Sequence, residues 1–287
     1  MKKEYAQKLK LLLVMAAFGC IGPIVRAIGL PSAVIACLRA WIAAIVLILY
    51  LVLSKHEYDR AAAKKAAAPM IFSGIFISVN WIMLFESYRF TTIAAATVCY
   101  YLAPVIVFLA SPLVLGESFR PKHAVCAAVS FFGMALVSGV SGNGLPAAAE
   151  LRGILFAVLA ACFYAAVILI NKKNPSADPL VRTTVQFSMA ALFTTPYILL
   201  TTEIGALQFS PKSILYLLLL GVLMTAFVYD LYFTLIVDIP ARSVAIFSYA
   251  DPVVAVFISA IFLGEPLSLA GLIGSVLIIG AAIVSEF

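Results

Sequence analysis

Ten apolar stretches, each near the length of about 20 residues that an α-helix needs to cross a bilayer, dominate the sequence. With 64% hydrophobic and 11% charged residues, the 287-residue chain has too little polar surface to coat a water-soluble globule. We therefore predict an all-α integral membrane protein with ten transmembrane helices: Leu9–Leu30, Ala33–Leu53, Pro69–Arg89, Ile93–Leu115, Ala124–Gly139, Gly153–Ile170, Val181–Leu200, Ile214–Val237, Ser243–Leu263 and Leu269–Val284.

The basic residues between these stretches are distributed unevenly. With a cytoplasmic N-terminus, the inner side holds fourteen of them: Lys2, Lys3, Lys8, Lys10, Lys55, Arg60, Lys64, Lys65, Arg120, Lys122, Lys172, Lys173, Arg182 and Arg242. The outer side holds five, namely Arg26, Arg39, Arg89, Arg152 and Lys212. This positive-inside bias predicts a multi-pass protein of the cytoplasmic (inner) membrane with both termini in the cytoplasm. The net charge of +6 is then explained by topology, and we expect no nucleic-acid partner.

The two halves of the chain are similar to each other. PVIVFLASPLVLGE at residues 104–117 corresponds to PVVAVFISAIFLGE at residues 252–265, and a linker-like stretch at 141–151 separates residues 1–140 from 152–287. Because each half has five spans, an odd number, the second repeat must be inverted in the membrane. Inverted repeats are common in secondary transporters, where two similar units enclose a site near the midplane. They are also compatible with channels and some lipid flippases.

Two repeats of five spans, each with a proline in its fourth span (Pro104 and Pro252) and a Leu-Gly-Glu ending, resemble the ten-helix EamA-like branch of the drug/metabolite transporter superfamily. Arg39 also looks like the arginine often found early in the second span. The resemblance implies alternating access around a central cavity, lined mostly by the first, third and fourth spans of each half. It leaves the substrate open, since members handle amino acids, nucleobases, drugs, sugars or quaternary amines. Phe18 stands where the family often has tryptophan.

The sequence offers no metal-binding or catalytic motif. Its five cysteines lie singly in apolar stretches without a CxxC pair, and its two histidines, His56 and His123, fall in predicted loops. No HExxH, no nucleophile with a nearby histidine and no paired carboxylates on one span are found. We therefore expect no cofactor, no metal and no enzymatic activity.

Asp251, in the ninth span, is the strongest candidate for substrate binding or proton coupling. An ionisable group near the midplane is expensive and usually faces a cavity. Pro252 follows it and removes a backbone donor, which commonly bends a helix. The repeat equivalent of Asp251 is Ala103, so the shared scaffold does not need the acid. The alternative is that Asp251 only stabilises the proline kink.

Two further acids are candidates for the same roles. Asp230, between Tyr229 and Tyr232, could hold a cation against aromatic rings or pair with a buried arginine. Glu86 and Arg89 are three residues apart on one helix face, which favours a structural salt bridge. The alternative for Glu86 is proton exchange during transport.

Arg39 could grip a carboxylate or phosphate of an anionic substrate through a two-pronged guanidinium contact. Its alternative is a structural pair with Glu86 or Asp251, while Arg26 is predicted near the interface. Polar and aromatic residues near the midplane should partly face the interior and are further substrate-binding candidates: Asn80, Trp81, Tyr101, Tyr229 and Tyr249. Tyr101 and Tyr249 are repeat equivalents.

Glu117 and Glu265 end the fourth and ninth spans just before another helix begins. A carboxylate is stabilising near the positive end of a helix, so we predict a structural role for both, together with Pro104 and Pro252. Gly271 and Ser275 form a small-xxx-small face in the tenth span, suited to close helix contact within a monomer or in a homodimer.

These features predict a secondary transporter that moves a small organic metabolite or drug-like solute by alternating access. Its partners would be the small-molecule substrate and the lipid bilayer. Proton coupling through Asp251, Glu86 or Asp230 is our hypothesis of mechanism. The alternative is a lipid or amphiphile flippase, or an accessory subunit of one, which would have a cavity opening sideways between spans.

Overall fold

The computed structural model describes residues 2–91, 93–137, 148–263 and 268–286, and within these ranges it is almost entirely helical and contains no strand. Ten spans follow one another along the chain: span 1 (Lys2–Gly19 and Ile21–Ile28), span 2 (Ser32–Leu53), span 3 (Arg60–Ser87), span 4 (Ile93–Tyr100 and Leu102–Leu115), span 5 (Pro121–Val137), span 6 (Ala148–Lys173), span 7 (Pro179–Thr201), span 8 (Pro211–Leu218, a π-helical segment Leu219–Phe227, and Val228–Asp238), span 9 (Ala241–Phe247 and Ala250–Leu263) and span 10 (Leu269–Glu286). The predicted all-α fold with ten helices is confirmed.

Six of the described spans (1, 2, 3, 4, 6 and 8) are long and apolar enough to cross a membrane by length and composition, and spans 5 and 10 are shorter apolar helices. Span 7 carries a buried polar face that includes Thr183, Gln186 and Thr194. Span 3 begins nine residues before its predicted start. Asp59 accepts hydrogen bonds from the backbone N–H groups of Ala61 and Ala62, so the alanine- and lysine-rich stretch before Pro69 is also helical.

The span ends form two faces. Gln7 donates to Asp238 (2.9 Å), and His56 contacts Asp178 (3.0 Å) on the face where span 1 begins and span 10 ends, which we call the terminal face. On the opposite face, the Ser213 hydroxyl donates to the carbonyl of Ile28 (2.7 Å). Span 1 starts on the terminal face, whereas its counterpart, span 6, ends there at Lys173. The two five-helix repeats are therefore inverted.

Spans 1, 4 and 9 are each broken in the middle, at Cys20, at Tyr101 and at Ser248-Tyr249. In each case the chain resumes as a helix whose third residue is a proline, namely Pro23, Pro104 or Pro252. Proline fits the first turn of a helix, because N–H groups there have no intrahelical acceptor. The three prolines therefore lie in the first turn of new half-helices, and each lacks the N–H group that would otherwise bond a carbonyl of the preceding half.

Spans 5 and 10, the last of each repeat, pack directly on each other through glycine. A Cβ atom added to Gly133 would lie 2.7 Å from the backbone oxygen of Gly274, and one added to Gly274 would collide with the oxygen of Gly133. Gly271 and Ser275 are both buried beside this crossing, and Ser275 donates to the Gly271 carbonyl (2.8 Å). The close contact between spans 5 and 10 is therefore made by Gly133 and Gly274, next to the small-residue face predicted in span 10.

Gly133→Ala is expected to destabilise the protein, because the new methyl group must push the two backbones apart. Overpacking of this kind costs about 1–3 kcal/mol, more than the gain of about 1 kcal/mol in helix propensity. The matched control is Gly280→Ala in span 10, where no atom lies within 4 Å of the added Cβ. Thermal unfolding of the purified proteins in detergent should show a lower midpoint for Gly133→Ala alone. Equal midpoints for both variants would mean that the glycine crossing does not hold these spans together.

Candidate functional site

A central cavity of about 520 Å³ lies between the repeats. Its walls come from spans 1, 3 and 4 of the first repeat and spans 6, 8 and 9 of the second, with span 2 completing it. This agrees with the lining that the family resemblance implies. A second pocket on the opposite face shares Ser32, Phe85 and Tyr88 with it. The central cavity therefore adjoins a depression on the opposite face.

Asp251 lines this cavity where the breaks of spans 4 and 9 meet. The Tyr101 hydroxyl donates a hydrogen bond to Asp251 Oδ2 (2.6 Å), and the Tyr249 hydroxyl donates to the backbone carbonyl of Tyr101 (2.8 Å). The two tyrosine rings stack with centroids 6.0 Å apart. Tyr101 reaches the cavity, but Tyr249 is fully buried behind it and supports the break.

Span 1 lies against the backbone of Asp251 because Gly19 has no side chain. A Cβ atom at Gly19 would lie 2.7 Å from the Asp251 carbonyl oxygen and 2.8 Å from Val254 Cβ. Phe18, next to it, lines the cavity and packs on Tyr229, with ring centroids 4.6 Å apart. Phe18 therefore provides an aromatic wall at the position where the family often has tryptophan.

Arg39 enters the cavity from span 2 and lies on aromatic rings. Its guanidinium carbon is 4.5 Å from the Trp81 ring centroid and 5.9 Å from that of Tyr229. Among the described residues it makes neither an ion pair nor a hydrogen bond, and its buried Nε has no acceptor. The structural pair with Glu86 or Asp251 that we considered is thus not formed in this conformation. The side chain of Arg26 is outside the described part of the structure.

The other midplane candidates divide between cavity wall and scaffold. Trp81, Tyr101 and Tyr229 line the cavity. Asn80 is buried, and its side-chain amide donates to the Ala160 carbonyl in span 6 (2.7 Å). Asn80 therefore connects spans 3 and 6 and is not exposed to a bound solute.

Asp230 lies outside the cavity and faces span 7. Arg182 and Thr183 are its polar neighbours there, and Arg182, which is 1% exposed, donates to the Phe233 carbonyl (2.7 Å). Asp230 Oδ1 is buried and has no hydrogen-bond partner within the described ranges. Among the described residues Asp230 and Arg182 form no direct ion pair, and Arg182 Nε and Nη1 are also buried without a partner. The arrangement places Asp230 near a buried arginine, as its structural alternative requires, but does not pair the two charges directly.

Glu86 is engaged at the opposite face. The Arg89 guanidinium donates to both of its carboxylate oxygens (3.0 and 3.1 Å), and the Tyr197 hydroxyl donates to Oε1. Arg89 and Tyr197 in turn line the pocket on that face. The carboxylate therefore connects spans 3 and 7, as the structural alternative for Glu86 requires.

Near the terminal face, charged residues from both repeats connect the spans that surround the cavity. Glu117, at the end of span 4, accepts hydrogen bonds from the Ala241 backbone N–H (2.9 and 3.1 Å), which begins span 9. The Lys172 ammonium group, from span 6, lies 3.8 Å from Glu117 and donates to the carbonyls of Ile236 (2.9 Å) and Ile239. Together these contacts fasten spans 4, 6, 8 and 9. We call this set the terminal latch.

The predicted structural residues have the following positions. Pro104 and Pro252 begin the second halves of spans 4 and 9, and Pro104 also touches the cavity. Glu117 accepts hydrogen bonds from the first residue of span 9, in the other repeat, and not from the start of span 5, which follows it in the chain. Glu265 lies outside the described residues.

Comparison with known proteins identifies the family. The sequence profile of the EamA-like transporter family matches the chain twice, at residues 8–139 and 151–286. The chain belongs to the EamA-like transporter family. Two relatives from Bacillus subtilis (strain 168) are named as uncharacterized transporters: YxxF is 27% identical over 92% of this chain and 84% of its own length, and YvbV is 28% identical over 62% and 58%. A solved structure described only as "Crystal structure of protein" has the same fold, with a TM-score of 0.87 at 17% identity, over 98% of this chain and 97% of that one.

The two profile matches confirm that this EamA-like protein is a duplicated membrane transporter. The family and these relatives are named as transporters and not as enzymes.

Three important residues could not be recognised in the sequence. Lys172 is followed by Lys173 at the end of a span, so it looks like an ordinary positive-inside charge. Arg182 stands at the start of a predicted span, so it also looks like a positive-inside charge, but in the fold its side chain is buried. Gly19 has no signal of its own, because only the path of span 9 shows why a side chain is excluded there.

Glu117→Ala is expected to open the terminal face, because it removes the cap on Ala241 and the carboxylate beside Lys172. Such a cap contributes about 1 kcal/mol, enough to shift a two-state equilibrium about fivefold. The measurement is the rate at which an impermeant maleimide, supplied at the terminal face, labels a cysteine introduced by Gly22→Cys. Gly22 lines the cavity, and an added Cβ has open space there. The five native cysteines are first replaced.

Glu203→Ala, an exposed acid at the other face, is the control. Labelling from the terminal face should rise several-fold in Glu117→Ala only. If the two variants label at the same rate, the terminal latch does not govern access.

Proposed function

We propose that this EamA-like protein is a secondary transporter that carries a small organic solute across the cytoplasmic membrane by alternating access, coupled to protons through Asp251. The observation that carries the proposal is the cavity between inverted repeats, which adjoins a depression at one face, while the terminal latch connects spans of both repeats at the other and would close the cavity there. Rocking of one repeat against the other would reverse these two conditions.

We propose Asp251 as the coupling residue because, of the three candidate acids, it is the one that lines the cavity. Its carboxylate lines the cavity and, among the described residues, accepts one hydrogen bond, from Tyr101. The other titratable groups that face it are Cys20 of span 1 and Tyr232 of span 8, and neither is a cation. Glu86 is occupied by Arg89 and Tyr197, and Asp230 faces Arg182 outside the cavity. We therefore propose structural roles for those two acids.

The terminal face is proposed to be cytoplasmic. The positive-inside distribution supports this orientation, and the fold brings both termini to that face. Fusion of alkaline phosphatase or green fluorescent protein to the C-terminus is expected to give an inactive phosphatase and a fluorescent reporter. The opposite pair of results would place the face of the cavity depression in the cytoplasm and invert the direction of every step.

The transport assay requires a solute, which thermal-shift screening of a metabolite library against the purified protein can identify, because a ligand of the native state raises its stability. A labelled form of the best ligand is then followed in proteoliposomes. Asp251→Asn mimics a permanently neutral acid. It is expected to abolish accumulation driven by a pH gradient while the protein remains folded. Glu57→Gln, in an exposed loop, is the control and should behave as the wild type.

Two outcomes count against the proposal. Unchanged pH-driven accumulation in Asp251→Asn would remove that residue from the coupling role. Absence of solute movement in wild-type proteoliposomes, with scrambling of a labelled phospholipid instead, would favour the flippase alternative.

A further inference from the structure

We infer that the solute is dipolar, with an anionic group that binds Arg39 and a cationic group that binds Asp251 in the same cavity. The inference rests on the proposed function and adds the chemical class of the substrate. Among the described residues that line the cavity, Arg39 is the only lysine or arginine and Asp251 is the only aspartate or glutamate. The lining of this cavity therefore offers one basic and one acidic side chain to a solute.

Neither charge is neutralised by the protein. Within the described ranges no carboxylate lies within ion-pair distance of the Arg39 guanidinium, and no cationic side chain lies within that distance of Asp251. An unpaired charge held out of bulk water costs several kcal/mol. A bound solute that carries both opposite charges can remove this cost for both residues at once.

The surroundings of Arg39 suit an anion with two oxygens. Its guanidinium carbon lies over the Trp81 ring, and Trp81 itself stacks on Phe187 with centroids 6.3 Å apart, so the ring beneath the cation is held in place. A guanidinium stacked on a ring keeps its N–H groups free at the edge, where a carboxylate or phosphate binds through two parallel hydrogen bonds. Arg39 lies over the Trp81 ring and makes no hydrogen bond to a described residue, so its N–H groups are available to such an anion.

The surroundings of Asp251 suit a compact cation. Tyr101 fills part of the coordination of Oδ2, and the rings of Tyr100 and Phe18 line the same cavity. An ammonium group can donate to the remaining carboxylate positions while its charge is attracted by the ring faces. Arg39 comes from the first repeat and Asp251 from the second, so the two ends of the solute would be held by different repeats.

The remaining walls suit an apolar body attached to the two charged groups. Val25, Leu84, Phe85 and Tyr88 contribute aliphatic and aromatic surface. The cavity volume of about 520 Å³ is in the range of small-ligand sites, about 300–1,000 Å³. A solute with one charge leaves the other residue unpaired, and sites penalise such analogues strongly. We expect at least a tenfold preference for the dipolar compound.

The test is equilibrium binding to the purified full-length protein with two matched series of probes. The first series is phenylalanine, phenethylamine, 3-phenylpropionate and 3-phenylpropanamide. The second is leucine, 3-methylbutylamine, 4-methylpentanoate and 4-methylpentanamide. Within each series the body is constant and only the charged groups differ. In the wild type, at least one amino acid should bind tenfold or more tightly than its amine, its acid and its amide.

Charge-removing variants assign the two ends. Arg39→Gln should bind the amine about as well as the amino acid, and Asp251→Asn should bind the acid about as well as the amino acid. Arg152→Gln and Glu57→Gln, which remove exposed charges outside the cavity, should keep the wild-type ranking. If Arg39→Gln fails to fold, Arg39→Lys can replace it, because lysine keeps the positive charge but lacks the two-pronged guanidinium. If no variant folds, the order of affinities measured for the wild type is sufficient to test the inference.

The inference is overturned if neither amino acid binds, if the wild type prefers an amine or an acid, or if both cavity variants weaken all probes equally. Binding in detergent needs no transport. If the probes bind in the expected order of affinity but none is transported in proteoliposomes, only the proposed function is refuted. Flux of a singly charged solute would refute the dipolar substrate alone.

Discussion

Backbone N–H and C=O groups cannot be left unpaired in hydrocarbon, and this constraint determines where the helices of this protein can be broken. Spans 4 and 9 are interrupted only where they face each other inside the bundle. There the Tyr249 hydroxyl satisfies the Tyr101 carbonyl, and the Tyr101 hydroxyl reaches Asp251. The same break thus exposes polar groups, provides partners for them and brings a carboxylate to the cavity.

The constraint also explains how charged residues can connect spans near the terminal face. A lysine at a membrane boundary is tolerated when it finds acceptors, and Lys172 finds two carbonyls at the end of span 8 and the carboxylate of Glu117. All of these acceptors belong to spans other than its own. The cost of burying Lys172 is therefore offset only while those spans stay together, which makes its contacts depend on the conformation of the transporter.

The sequence was sufficient to predict the ten helices, their inversion and the family, because apolar length, charge bias and the internal repeat are each recorded in the order of residues. It also singled out Asp251 and Arg39, since charges within apolar stretches are conspicuous. It could not separate Tyr101 from Tyr249: the two are repeat equivalents, but only Tyr101 reaches the cavity. Neighbours such as Arg182 for Asp230 depend on packing between spans that are distant in sequence.

The scaffold is symmetric, but its charges are not. Tyr101 and Tyr249 repeat, as do Pro104 and Pro252, whereas Asp251 has Ala103 as its counterpart. A ligand can shift a conformational equilibrium only by its difference in affinity for the two states. A singly charged solute held by Asp251 alone would move with the second repeat and distinguish these states weakly. A solute that bridges Asp251 and Arg39 is sensitive to the separation of the repeats, so its binding energy acts directly on the motion that transports it.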